Sequence, residues 1–143
     1  ELEKQINEKK IELATLYNDT KAVSGIKYSV GEIASIGEKV VAAAYSQLGV
    51  PYVWGGTTPN SALDCSGLTQ YCYAQAGISI PRTSSSQRAY GVVLSSPEVG
   101  CIVSYPGHVG IYIGDNKIIH APQPGDVVKI SNVWGNPTYI RMY

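Results

Sequence analysis

The chain of 143 residues has no phenylalanine, only two histidines and three cysteines, and no excess charge of either sign. Eleven Lys and Arg balance eleven Asp and Glu. A neutral chain offers no general electrostatic grip on nucleic acid or on an anionic membrane surface. Its apolar runs fall far short of the roughly 20 residues a helix needs to cross a bilayer. Neither a nucleic-acid partner nor a membrane span is therefore expected. The odd cysteine count (Cys65, Cys72, Cys101) leaves at least one thiol unpaired and argues against a disulfide scaffold. On one helix Cys65 and Cys72 would stand about 10 Å apart, beyond disulfide reach. A bridge from Cys101 to either stays open. The histidines and cysteines lack zinc-like spacing, and no Gly-rich phosphate loop appears, so no metal and no cofactor is expected. No signal-peptide pattern is visible, but residue 1 lies inside a charged helical pattern. The chain reads as a fragment or mature form, so this absence carries no information about compartment.

What is present is one domain's worth of chain with ordinary apolar content, 44%, and an unusual number of tyrosines. Residues 1–20 are rich in Glu, Lys, Leu and Ile. Leu2, Ile6, Leu13 and Leu16 fall near heptad positions, which predicts a helical or coiled-coil extension. Self-association of this helix, or contact with a partner, stays open. Residues 21–36 mix Ser and Gly without period and read as a linker. The domain proper is expected over 37–143. Val40, Val41, Ala44, Tyr45 and Leu48 repeat at helical spacing, ended by Gly49 with Pro51 beyond. A second helix is predicted from about Cys65 to Ala76, stopped by Gly77. A short third helix, capped by serine or threonine, falls within 81–91. After Gly91 the pattern changes to short β-branched and aromatic runs: GCIVSY, HVGIYIG, NKIIHA, DVVKI and TYIRMY. Helices first and strands after, without alternation, predict an α+β fold with an antiparallel sheet.

Cys72 and Cys101 fall at positions expected to pack in the core, a common place for free cysteine. Cys65 differs, because it opens a helix. Unpaired backbone N–H groups and the helix dipole favour a negative charge there, which favours a thiolate. The adjacent Asp64 works against that and needs another job. A thiolate nucleophile needs a base, and only His108 and His120 are available. Together the three residues supply a nucleophile, a base and an orienting group.

Strand parity decides whether the two imidazoles can meet. A clean two-residue turn at Asp115–Asn116 pairs Gly114 with Lys117 and sets His120 opposite Ile111, on the wrong face. A three-residue loop or a β-bulge sets His120 opposite Gly110, diagonal to His108 and within reach of it. One of these two devices is predicted.

The stretch GVPYVWGGTTPNSALDCSGLTQYCYAQAGISIPRTSSSQ, followed by GHVGIYIGDNKIIHAP, resembles the NlpC family (NlpC and p-sixty) of bacterial cell-wall endopeptidases over roughly residues 37–143. The resemblance implies a papain-like α+β domain with helices packed on a central antiparallel sheet. It also implies cysteine peptidase chemistry on peptidoglycan stem peptides, between D-γ-glutamate and meso-diaminopimelate or lysine. Carried over by position, Cys65 is the nucleophile, His108 the base and His120 the residue that orients it. Tyr52 and the backbone of Cys65 or Ser66 would hold the oxyanion. Asp64 would meet a substrate amine, with a plain helix cap as the alternative. Arg82 and Ser84 match cleft residues; Arg82 would pair with a stem carboxylate or simply hold its loop. Trp54 lies in the cleft loop or in the core. A secreted or cell-surface location follows from the resemblance. Amidase or transpeptidase-like acyl transfer, and a non-catalytic wall-binding module, are the alternatives. One departure is that Cys101 stands where relatives carry an aspartate, and the segment from Cys101 to His108 is short. A rearranged loop and a cleft more open on that side are expected.

Overall fold

The computed structural model describes residues 28–143. The expected helical extension at 1–20, with its possible partners, lies outside the described residues. The first described helix, α1 (Val30–Ser46), buries Ile33, Ile36, Gly37, Val40, Ala43 and Ala44 along one stripe. The expected linker over 21–36 therefore does not hold from Ser29 onward. Ser29 is a helix cap. Its hydroxyl accepts from the Glu32 N–H at 3.3 Å, while the Glu32 carboxylate accepts from the Ser29 N–H at 3.4 Å. This reciprocal Ser-x-x-Glu box was legible in the sequence but masked by the surrounding Ser and Gly. Tyr28, one residue earlier, already packs edge-on against Tyr143.

A short ribbon follows, β1 (Thr57–Thr58) with β2 (Ala62–Leu63). Helix α2 (Cys65–Gln75) ends at Gly77, whose φ of 82° leaves the helical region as a C-terminal glycine does. Thr83 caps α3 (Ser84–Tyr90). Strands β3 (Val92–Leu94), β4 (Ile102–Tyr105), β5 (His108–Gly114), β6 (Lys117–His120), β7 (Lys129–Asn132) and β8 (Thr138–Arg141) form one antiparallel sheet in the order β3-β8-β4-β5-β6-β7. The C-terminal strand thus returns to lie between β3 and β4. The α+β class and the helices-on-sheet arrangement are as expected. The strand placed at 126–130 from sequence begins instead at Lys129, and β3 was not foreseen.

One sheet face, carrying Ile102, Val109, Ile111, Ile119 and Ile140, packs with α1 and α2 into the main core. The other carries a smaller cluster of Leu94, Cys101, Val103, Tyr112 and Ile118. Cys72 and Cys101 are fully buried as expected, and no disulfide joins any of the three cysteines. At the departure site, the Tyr73 hydroxyl donates to the Gly100 carbonyl, and Gly100 and Cys101 exchange backbone hydrogen bonds with Tyr112. The turn before β4 is thus tied to both the helix and the sheet without an aspartate. The β4–β5 connection is a tight turn at Pro106–Gly107, with Tyr105 paired to His108.

Candidate active site

The hairpin between β5 and β6 settles the parity question. Gly114 pairs with Lys117 around a two-residue turn at Asp115 and Asn116, both with positive φ. Taken alone, that turn would set the histidines on opposite faces. A bulge between Tyr112 and Gly114 inserts Ile113 as an unpaired residue, so that Tyr112 faces Ile118 and Ile111 faces Ile119. His120 then lies opposite Gly110, on the face of His108. The two rings meet edge to face, with His108 Nε2 2.8 Å from His120 Nδ1. Gly110 permits the approach, because a Cβ there would stand 3.0 Å from the His120 Cβ. On its far side His120 Nε2 lies 2.8 Å from Ser131 Oγ of β7.

Cys65 begins α2, which packs across β5. The backbone N–H of Val109, the residue after His108, reaches its sulfur. Cys65, His108, His120 and Tyr52 line one groove of about 1160 Å³ that also includes Trp54, Asp64, Ser66, Arg82 and Ser84. The expected site residues therefore share one surface, although they come from the loop after α1, the α2 start, the α3 start and two strands. Trp54 is 84% exposed, which excludes the core alternative for it.

The electrostatics depart from one expectation. Burial pushes the Cys65 thiol up and Asp64 adds to the rise, while N–H groups of Val109, Ser66 and Cys65 itself pull it down. The helix-start donors are present, but burial outweighs them, so the net pull on the thiol is upward. Burial also lowers His108 below 6.5. His120 is driven to about 4, by burial first and then by His108 and Lys129. Both directions favour a resting pair of thiol and neutral imidazole over a thiolate–imidazolium pair. Tyr52, on the same groove, is raised by burial and then by the charges of Cys65 and Asp64.

Asp64 is the α2 cap, the alternative set beside the substrate contact. Its Oδ1 accepts from the Gly67 N–H at 2.6 Å and its Oδ2 from the Gly55 N–H at 3.1 Å. Arg82 grips both oxygens, at 3.1 and 2.9 Å, and also donates to Ser66 Oγ at 2.7 Å. A carboxylate so engaged is not free to receive an amine without sharing it with Arg82. Beneath it, Gln87 donates to the carbonyls of Ser66 and Pro81 and accepts from Thr69 Oγ1. The α2 start is thereby braced against α3.

Sequence reasoning missed Ser131, Trp134 and Tyr105. Tyr105 and Trp134 stack with ring centroids 4.2 Å apart, and the Tyr105 hydroxyl bonds both the carbonyl and the N–H of Trp134. The indole lies 5.4 Å from His120 and 6.0 Å from His108, walling one side of the pair. Asp126 and Lys129, ion-paired at 2.8 Å, border the groove beyond it. Among the described residues, no group of three or more His, Cys, Asp or Glu is placed to hold a metal ion. No described helix is long and apolar enough to cross a membrane.

Residues 49–142 match the NlpC/P60 family, and the chain belongs to it. A probable endopeptidase of Corynebacterium glutamicum is 53% identical over 93 residues, covering 62% of this chain and 44% of that protein. The chain thus spans less than half the length of that curated relative. Among solved structures, the NlpC/p60 domain of the peptidoglycan hydrolase SagA is 40% identical with a TM-score of 0.66, covering 74% of this chain and 98% of that one. The peptidoglycan hydrolase RipB of Mycobacterium tuberculosis is 26% identical with a TM-score of 0.71, covering 96% and 83%.

Proposed function

We propose that this domain is a cysteine endopeptidase that hydrolyses peptidoglycan stem peptides between D-γ-glutamate and a diamino acid, meso-diaminopimelate or lysine. The observation that carries the reading is the hydrogen-bonded line of His108, His120 and Ser131, ending in the groove that Cys65 shares. The names of the relatives, an endopeptidase and two peptidoglycan hydrolases, support the substrate class. That substrate also implies a secreted or cell-surface location.

Each step follows from the groups present. His108 Nδ1, the ring nitrogen not used by His120, takes the Cys65 proton as the sulfur attacks the amide carbonyl. Negative charge on the carbonyl oxygen meets backbone N–H groups at the α2 start, with the Tyr52 hydroxyl beside them. The His108 imidazolium then gives its proton to the departing amine, the C–N bond breaks, and a thioester remains on Cys65. Water, deprotonated by His108, hydrolyses the thioester and restores the thiol. His120 holds His108 in one orientation and accepts from its Nε2–H throughout, the role an acid plays in a serine triad. Arg82 borders the groove and is about a third exposed, so its positive charge is available to attract a stem carboxylate. Asp64 contributes through Arg82 and the α2 cap, and Ser84 and Trp54 form the facing rim.

The test is digestion of defined muropeptides with products weighed by mass. Cleavage after D-γ-glutamate, abolished in Cys65→Ala, is expected. Release of the whole stem from muramic acid would instead mark an amidase, and amide exchange onto an added amine a transpeptidase. Binding without turnover would mark a wall-binding module.

A further inference from the structure

We propose that Ser131 is a positioning residue that sets the tautomer of His120 and thereby decides which nitrogen of His108 is basic. The inference rests on the reading of His108 as the base. His108 Nε2 is engaged with His120 Nδ1, so Nδ1 is the ring nitrogen left to act as the base toward Cys65 in the groove they share. To accept a proton there, neutral His108 must carry its own hydrogen on Nε2 and donate it to His120 Nδ1. Neutral His120 must then carry its hydrogen on Nε2, where the atom within reach is Ser131 Oγ at 2.8 Å. His120 is only 4% exposed, so solvent offers its Nε2–H little alternative.

The line of polar groups can also run backwards. If the Ser131 hydroxyl donates to His120 Nε2, the His120 hydrogen moves to Nδ1 and is donated to His108 Nε2. His108 then carries its hydrogen on Nδ1 and cannot take the Cys65 proton there. A neutral histidine pair has both states available, and only an acceptor at position 131 favours the competent one. Register places the Ser131 hydroxyl where it can be that acceptor. His120 pairs with Lys129 across β6 and β7, which sets Ser131 diagonal to His120 on its own face.

The experiment compares Ser131→Ala and Ser131→Thr with the parent domain on a defined stem peptide. Histidine 15N shifts report the tautomers in parallel. Ser131→Ala should lower kcat about 10- to 100-fold, the scale of one lost buried hydrogen bond, with KM within about twofold. His120 should pass from the Nε2–H form to a mixture. Threonine keeps the oxygen and suits a strand, so it should restore both kcat and tautomer. An alanine variant with kcat within about twofold of the parent, or with His120 unchanged in its 15N shifts, would overturn the proposal. So would a folded threonine variant that is inactive. If alanine prevents folding, the threonine result alone decides. His108→Ala separates the two levels: retained activity there defeats the base assignment, whereas indifference at Ser131 alone defeats only this inference.

Discussion

Gly110 offers a way to move one imidazole by a known amount without altering its chemistry. A methyl group at this position would stand 3.0 Å from the His120 Cβ and 3.1 Å from the Ile119 carbonyl oxygen. Carbon atoms rest about 3.5–4.0 Å apart, so His120 must withdraw by roughly 0.5–1 Å. Its 2.8 Å contact with His108 then stretches to about 3.3–3.8 Å, at or past the useful limit of a hydrogen bond. A displacement of about 1 Å in a catalytic group costs on the order of 10²-fold in rate. Gly110→Ala should therefore lower kcat about 10- to 100-fold on a stem peptide, leave KM nearly unchanged, and retain the far-UV circular dichroism of the parent. Gly110 does not have a positive φ, so alanine adds only the contact and no backbone strain. A folded Gly110→Ala domain with kcat within twofold of the parent would refute the claim that the His108–His120 bond is required.

Further expectations concern protonation, the groove and the domain boundary. Because burial lowers His108, the acid-side decline of kcat/KM, as the base gains a proton, should be centred below pH 6.5. The limb should steepen near pH 4 where His120 charges as well, and a decline centred above pH 6.5 would contradict the burial argument. Arg82→Met keeps an unbranched apolar stem but loses four donor contacts to Asp64, Ser66 and Gly56. It should raise KM several-fold and also lower kcat, because the α2 start loosens; steady-state kinetics separate the two. Ser29→Ala should cost about 1 kcal/mol of stability by urea unfolding with activity intact, since it removes a cap far from the groove.

Much of the fold was legible because the signals were local. Gly77 ends α2 where expected, Thr83 caps α3, and most of the runs after Gly91 contain strands, while α1 stops at Ser46, short of Gly49. The histidine pair was legible as a condition: parity required a longer loop or a bulge, and the bulge at Ile113 meets it. Ser131 was not legible, because its position depends on the register of β7 across the irregular stretch from Ala121 to Val128. A one-residue error there reverses every face. The Asp64–Arg82 pair was hidden for a similar reason, since 18 residues and a turn separate the partners. The pull on the Cys65 thiol was legible only in part, because helix-start donors can be read from sequence, whereas the burial that outweighs them cannot.

The three sulfurs are unequal in a way that has a practical use. Cys72 and Cys101 are sealed within the protein, and burial drives Cys72 far above the ordinary thiol range. Cys65 alone opens onto the groove. A stem-peptide analogue carrying an electrophilic warhead should thus attach once per domain. Its stoichiometry would count competent molecules in a preparation and identify them by mass, with no engineered handle.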